Sequence, residues 1–410
     1  MTVQTFFMDM VQGIAATAVP GASSVALEYH VASNGFWAAD KAVGLALPAL
    51  LLLTGLGARS YARISRRFGD RKWLAIAAFA AMYFALDRSL RAIVGYFWDA
   101  AYSRASQGPL PAMPEWALGK FGETVPVVLA MTVAVVIGYA LLSSALFARS
   151  PRRAWIGFGA MASLLFVGAL LAEPYTQDYL PLGTSPVEMR LAEAGATVGI
   201  PRDRIVLQTC EPAAACPPGR VIGVGPTRLM LMNASLLHTD PPDWTLQVFA
   251  HEAKHFVKDD NIKAMLLLVF LSFLFAWSIY CSSAAISERW GGRFGIAGLS
   301  QPPSLPLIVL LFGLIQLVIL PPVNAFRQWV ELEADRFALE MTRQNAVQGA
   351  MLAEHAHGGL VVPESSAFAM RFRNSHPSVA ERIRLSNDYR PWAEGKPLRY
   401  ADDVPKRNDD

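Results

Sequence analysis

Residues 251–255 read His251-Glu252-Ala253-Lys254-His255 and run directly into a long apolar stretch. On a helix, side chains four residues apart share a face. His251 and His255 can therefore hold one metal ion, and Glu252 reaches a water bound to it. The chain has only seven His, so the spacing is not a by-product of histidine-rich composition. Upstream, Asp240-Pro241-Pro242-Asp243 reads as a helix start, with Asp as N-cap and Pro in the first turn. The helical pattern then runs from Trp244 to about Lys258.

A zinc site needs a third protein ligand and keeps one position open for water. The segment Arg327-Gln328-Trp329-Val330-Glu331-Leu332-Glu333-Ala334-Asp335-Arg336 is helical in character to about Gln344. Glu331 and Asp335 are four apart and share a face, while Glu333 points elsewhere. The expectation is one zinc per chain, with Glu331 as third ligand and Asp335 orienting a ligand histidine through its other ring nitrogen. Taken singly, the acidic pair reads as a solvated helix face and the histidines as incidental. The two blocks in one chain favour the metal.

The composition is 53% hydrophobic, too apolar for an ordinary soluble enzyme of this size. Lys and Arg number 36 against 33 Asp and Glu, which implies no nucleic-acid partner. Six apolar stretches, about 42–58, 73–98, 124–148, 154–172, 262–285 and 305–323, approach the roughly 20 residues a membrane helix requires. The second contains Asp87, Arg88 and Arg91, read as an Asp87–Arg91 pair at i,i+4, with a buried polar element as the alternative.

Short loops set orientation. Loop 59–72 carries Arg59, Arg63, Arg66, Arg67, Arg71 and Lys72 against Asp70. Loop 149–153 carries Arg149, Arg152 and Arg153, and loop 286–304 carries Arg289 and Arg293 against Glu288. With six spans these loops share one side, the cytoplasmic one. A multi-pass protein of the cell inner membrane is expected, with both long polar regions on the periplasmic or exterior side. Cys210 and Cys216 could form a local disulfide, which suits an oxidising compartment, or stand as free thiols. Cys281 reads as a small core residue within a span. The tail after Pro391 reads as loose.

In three blocks the sequence resembles the integral-membrane gluzincin peptidases that include the type I CAAX prenyl protease and the HtpX-type heat-shock protease. The blocks are His251–His255, Glu331 to Asp335 with Arg336-Phe337-Ala338, and Ser375-His376-Pro377-Ser378-Val379-Ala380-Glu381-Arg382-Ile383. A weaker match is Gly223-Val224-Gly225-Pro226-Thr227-Arg228. The resemblance covers about 175–385 and implies zinc, endopeptidase activity, and two spans between the two metal-binding helices. It also implies a role for His376 near the oxyanion and for Arg382 in supporting the acidic helix. From the residues alone, His376 before Pro377 reads equally as a helix N-cap.

In such enzymes an edge strand receives the substrate backbone by strand addition. Segment 220–232 reads as two short strands, with Gly223, Val224 and Gly225 as substrate-binding candidates; a plain structural hairpin is the alternative. An Asn-Ala pair usually precedes that strand, and here Pro217-Pro218-Gly219-Arg220 stands in its place.

The expected fold is mainly α: a multi-span helical bundle with a zincin-like catalytic domain built from the HExxH helix, a small hairpin or sheet, and the glutamate helix. The expected division is 1–172 with about four spans, 173–261 and 324–390 as two halves of the catalytic domain, 262–323 as two inserted spans, and 391–410 as a flexible tail. The expected activity is hydrolysis of membrane-associated, misfolded or small polypeptides, with Glu252 as base and the bilayer as the second partner. The competing reading is a catalytically silent relative acting as a membrane chaperone or scaffold.

Overall fold

The computed structural model describes residues 16–109, 112–144, 151–210, 217–357 and 359–404. Its principal elements, in chain order, are α1 (Ser24–Leu53), α2 (Leu56–Phe68), α3 (Lys72–Ala105), α4 (Met113–Ser143), α5 (Pro151–Thr176), β1 (Leu180–Pro181), α6 (Pro186–Thr197), β2 (Ile205–Gln208), β3 (Gly219–Ile222), β4 (Leu229–Asn233), α7 (Leu236–Thr239), α8 (Pro242–Val257), α9 (Asp260–Phe294), α10 (Leu305–Thr342), α11 (Asn345–His357), α12 (Ala367–Phe372) and α13 (Val379–Asp388). They divide into two compact units. One is Ser24–Ser163 with Val269–Pro321; the other is Met1–Ser23, Leu164–Leu268 and Pro322–Asp410. The boundaries fall inside α5, α9 and α10 rather than at the expected polar junctions.

Among the described residues, six helices are long and apolar enough to cross a membrane: Ser24–Leu53, Lys72–Ala105, Met113–Ser143, Arg153–Thr176, Asp260–Phe294 and Pro302–Thr342. The first starts well before residue 42 and ends before 58. Thr54 Oγ1 bonds the Leu50 carbonyl at 2.6 Å, and Gly55 takes φ 65°, a conformation glycine adopts without penalty. The basic stretch expected as loop 59–72 is largely helix α2, closed by Gly69 at φ 56° with its N–H on Ser65 O.

In the membrane unit, Phe79, Ala80, Tyr83 and Phe84 of α3 pack with Leu47 of α1 and Leu305. Asp87 is buried. Arg91 Nε donates to it at 3.1 Å, the i,i+4 pair expected, and Arg91 Nη1 donates to Asp40 of α1 at 2.7 Å. Gly44 makes that approach possible, since a Cβ there would overlap the Arg91 guanidinium. Cys281, expected in a core, is exposed and unbonded on α9.

The second unit holds a four-stranded sheet ordered β1-β2-β4-β3. β2 and β4 run parallel, and the outer pairs run antiparallel. Side chains alternate across it. Ile205, Leu207, Met230 and Met232 face a core shared with Phe249, Ala250 and Ala253 of α8 and Phe337 and Ala338 of α10. Val206, Ile222, Leu229 and Leu231 cluster on the other face. Phe249 and Phe337 are fully buried, and truncating either to Ala costs about 3–5 kcal/mol.

Residues 391–404 are not loose. Tyr400 and Val404 are buried in the same core as α8. The Arg399 and Tyr400 N–H groups donate to the buried Glu340 at 2.9 and 2.8 Å, and Tyr400 Oη donates to the buried Glu333 at 2.6 Å. A polar tail can pack because carboxylates on α10 satisfy its donors. Residues 405–410 lie outside the described residues. Cys210 is disulfide-bonded; Cys216 also lies outside the described residues.

Candidate metal centre

α8 starts at Pro242 behind Pro241, with no side-chain cap. Asp240 instead ends α7, its N–H on Leu236 O at 3.1 Å. The helix nonetheless forms as expected, because Pro in the first turn needs no N–H partner. It carries His251 and His255 on one face, their rings 5.2 Å apart.

Glu331 of α10 meets both. His251 Nε2 lies 3.2 Å from Glu331 Oε2, and His255 Nε2 lies 3.9 Å from Oε1. One ligand atom from each of the three residues falls within 4.8 Å of the others, and two imidazoles with one carboxylate is a donor set that suits zinc. The three residues therefore fit a metal ion.

Both outer ring nitrogens are held by carboxylates, the arrangement that fixes a ligand histidine's tautomer and basicity. His251 Nδ1 bonds Asp335 Oδ1 at 2.9 Å. Asp335, buried, accepts a two-pronged pair from Arg382 of α13, both contacts 2.7 Å. Arg382 thus reaches the acidic helix through Asp335. His255 Nδ1 bonds Asp260 Oδ2 at 2.8 Å. Asp260 begins α9 and pairs with the buried Lys254 and with Lys263, each at 2.7 Å. Sequence reading missed Asp260 and Lys254. The approach depends on Asp259, whose φ of 50° breaks α8 from α9, and no periodicity extends across such a break.

Burial disfavours charge on His251, but hydrogen bonds to Asp335 and Glu331 outweigh it and lift its imidazole to about 10. Bound metal would replace that proton. Burial raises the Glu252 carboxyl above the usual carboxylate range, opposed by His251 and His255. Glu252 packs against Gly219 at the start of β3; a Cβ on that glycine would lie 2.7 Å from Glu252 Cγ. The absence of a side chain at 219 makes room for the acid, a second feature the sequence did not announce.

His376 is exposed. Its Nδ1 lies 3.0 Å from Ser375 Oγ and its Nε2 lies 3.5 Å from Glu331 Oε2. It does not cap α13: Ser378 does, accepting from Glu381 N at 3.1 Å. His376 is left free to face the cluster. The two strands expected in 220–232 are present, but Gly223, Val224 and Gly225 lie in the turn between them. Val224 exchanges bonds with Thr227, and Gly225 O accepts from Arg228. Arg220 is tied to Glu173 and Gln177 at 3.1 Å each.

Residues 198–387 match the family model described as Peptidase family M48. Among curated proteins, an uncharacterized metalloprotease, YhfN of Bacillus subtilis (strain 168), is 24% identical over 225 residues, which is 54% of this chain and 52% of that protein. The chain thus spans about half the length of the curated relative it matches. Among solved structures, S. mikatae Ste24p superposes with a TM-score of 0.54 at 14% identity, covering 85% of this chain and 99% of that one. At that identity the likeness is one of fold: a helical membrane bundle carrying a zincin-like domain.

Proposed function

We propose, from the match of residues 198–387 to the model of peptidase family M48, that the chain is an integral-membrane zinc endopeptidase of that kind. The observation that carries the reading is the convergence of His251, His255 and Glu331, each histidine backed by its own carboxylate. Zinc held by these three would supply a Lewis acid and bring a water to a pKa of about 7.

The chain's own residues do the rest. Glu252, set beside Gly219, takes a proton from the attacking water and passes it to the leaving nitrogen. His376 stands beside the cluster as a second donor to the developing oxyanion. Asp335 and Asp260 hold the ligand imidazoles in register. β3, at the edge of the sheet and packed on α8, receives the substrate backbone by strand addition. That mode reads extended shape more than sequence and suits membrane-associated, misfolded or small polypeptides.

We further propose that the active site lies on the exterior or periplasmic side of the cell inner membrane. The basic α2 and the basic loops favour the cytoplasm, and a disulfide at Cys210 suits an oxidising compartment. Thr17 supports the count of six spans, though not the side. Its N–H and C=O both bond the Asn387 side chain at 2.9 Å, so the chain before α1 shares a side with α13. An even number of spans between them requires that.

The test compares wild type with Glu252→Gln. About one zinc per chain is expected in both, with cleavage of an unfolded protein falling by 10²–10⁴-fold in the variant. Zinc-free wild type would overturn the reading, and zinc without cleavage of any polypeptide would favour the scaffold. Orientation is checked by labelling Cys210 from outside intact cells after reduction.

A further inference from the structure

Strand addition needs backbone groups that point away from the sheet, and the register of β3 shows which ones do. Gly219, Arg220, Val221 and Ile222 lie opposite Met232, Leu231, Met230 and Leu229. Asn233 N donates to Pro218 O, so residue 218 belongs to a hydrogen-bonded pair. Such pairs alternate along an antiparallel ladder. Residues 220 and 222 therefore bond β4, and the N–H and C=O of Gly219 and Val221 face outward.

One of those outward groups is already taken. The Asn261 side-chain amide donates to Val221 O at 3.1 Å and to Gly223 O at 2.8 Å. It sits where the N–H of an added strand would sit. Among the described residues, nothing takes the Gly219 N–H, the Gly219 C=O or the Val221 N–H. The plug is built from both sides. Asn261 is the second residue of α9, carried to the strand by the break at Asp259. Gly223, at φ 72°, turns its carbonyl to the same amide. A Cβ at 223 would meet Thr227 O at 2.6 Å and Pro174 Cγ at 2.8 Å. Arg228 anchors the same junction, bonding Phe256 O and lying 3.5 Å from Asp259.

We propose that Asn261 is a specificity-determining residue: its amide ends the substrate-binding edge of β3 at Val221, so the enzyme reads substrate backbone at Gly219 and no further along the strand than the Val221 N–H. This rests on the endopeptidase reading above. Its consequence is that substrate beyond Val221 is bound without a backbone ladder, and chain length on that side is not rewarded.

The experiment uses the zinc-loaded full chain in detergent. A peptide with a single cleaved bond is lengthened one residue at a time on each side, and kcat/KM is taken as a ratio of long to short. In wild type the ratio stops rising once the strand reaches Val221. In Asn261→Ala the next extension gains about 3- to 10-fold, one amide–carbonyl hydrogen bond. Equal ratios in the two proteins would overturn the proposal.

A second measurement needs no variant. In wild type, replacing single substrate amides by esters penalises the amide that meets Gly219 C=O and spares the one opposite Val221 C=O. Equal penalties would also overturn it. Absence of any peptide cleavage would instead overturn the endopeptidase reading beneath it.

Discussion

His251 and His255 are held in the same way by unlike regions. His251 leans on Asp335, 84 residues away in sequence, which a guanidinium from α13 clamps by two contacts. His255 leans on Asp260, five residues away, which two ammonium groups neutralise. The difference lies in what happens when a carboxylate is lost. A guanidinium stays charged wherever it is, whereas a buried lysine can shed its proton. The Asp335 side is therefore the less forgiving of the two, and the Asp260 side can relax.

Asp335→Ala should do the most damage. It removes the partner of His251 and strands Arg382, costing about 3–5 kcal/mol for a broken buried pair, with loss of zinc and activity together. Thermal unfolding and metal content measure both; an unchanged melting temperature would mean Arg382 finds another partner. Asp260→Asn should weaken zinc binding by about 10–100-fold with a smaller stability loss, because Lys254 can neutralise. Titration with a competing chelator measures it, and a stability loss equal to that of Asp335→Ala would abolish the contrast between the two sides.

Tyr400→Phe probes a third region, the face of α10 turned from the metal. It should cost about 0.5–1.5 kcal/mol for one hydrogen bond, since Arg336 and Arg399 still pair with Glu333 at 2.6 Å each. Zinc content and kcat should not change. A fall in activity would show that the docked tail also tunes Glu331.

Much of this site was legible. His251 and His255 follow from helical spacing, and Glu331 and Asp335 follow from the same rule on a second helix. Arg382 and His376 came from resemblance to a family. Three contributors gave no such signal. Asp260 acts across a helix break, Gly219 acts by lacking a side chain, and Asn261 acts on backbone carbonyls rather than on another motif residue. The tail was misread for a related reason: its polarity looks solvated until Glu333 and Glu340 are found buried beneath it.

By itself the sequence determined six apolar helices and the helical spacing that sets His251 beside His255 and Glu331 beside Asp335. These are properties of local periodicity, spacing and hydropathy, and they persist whatever the helices pack against. That the sixth apolar helix runs on without a break to carry Glu331 was not legible in it. Only the tertiary structure decided which carboxylate backs which histidine, that His376 is no cap, and where the free edge of β3 ends. Each of those depends on hydrogen bonds between distant segments. Such bonds are strong where they form and directional over a few ångströms, and residue order alone does not specify them.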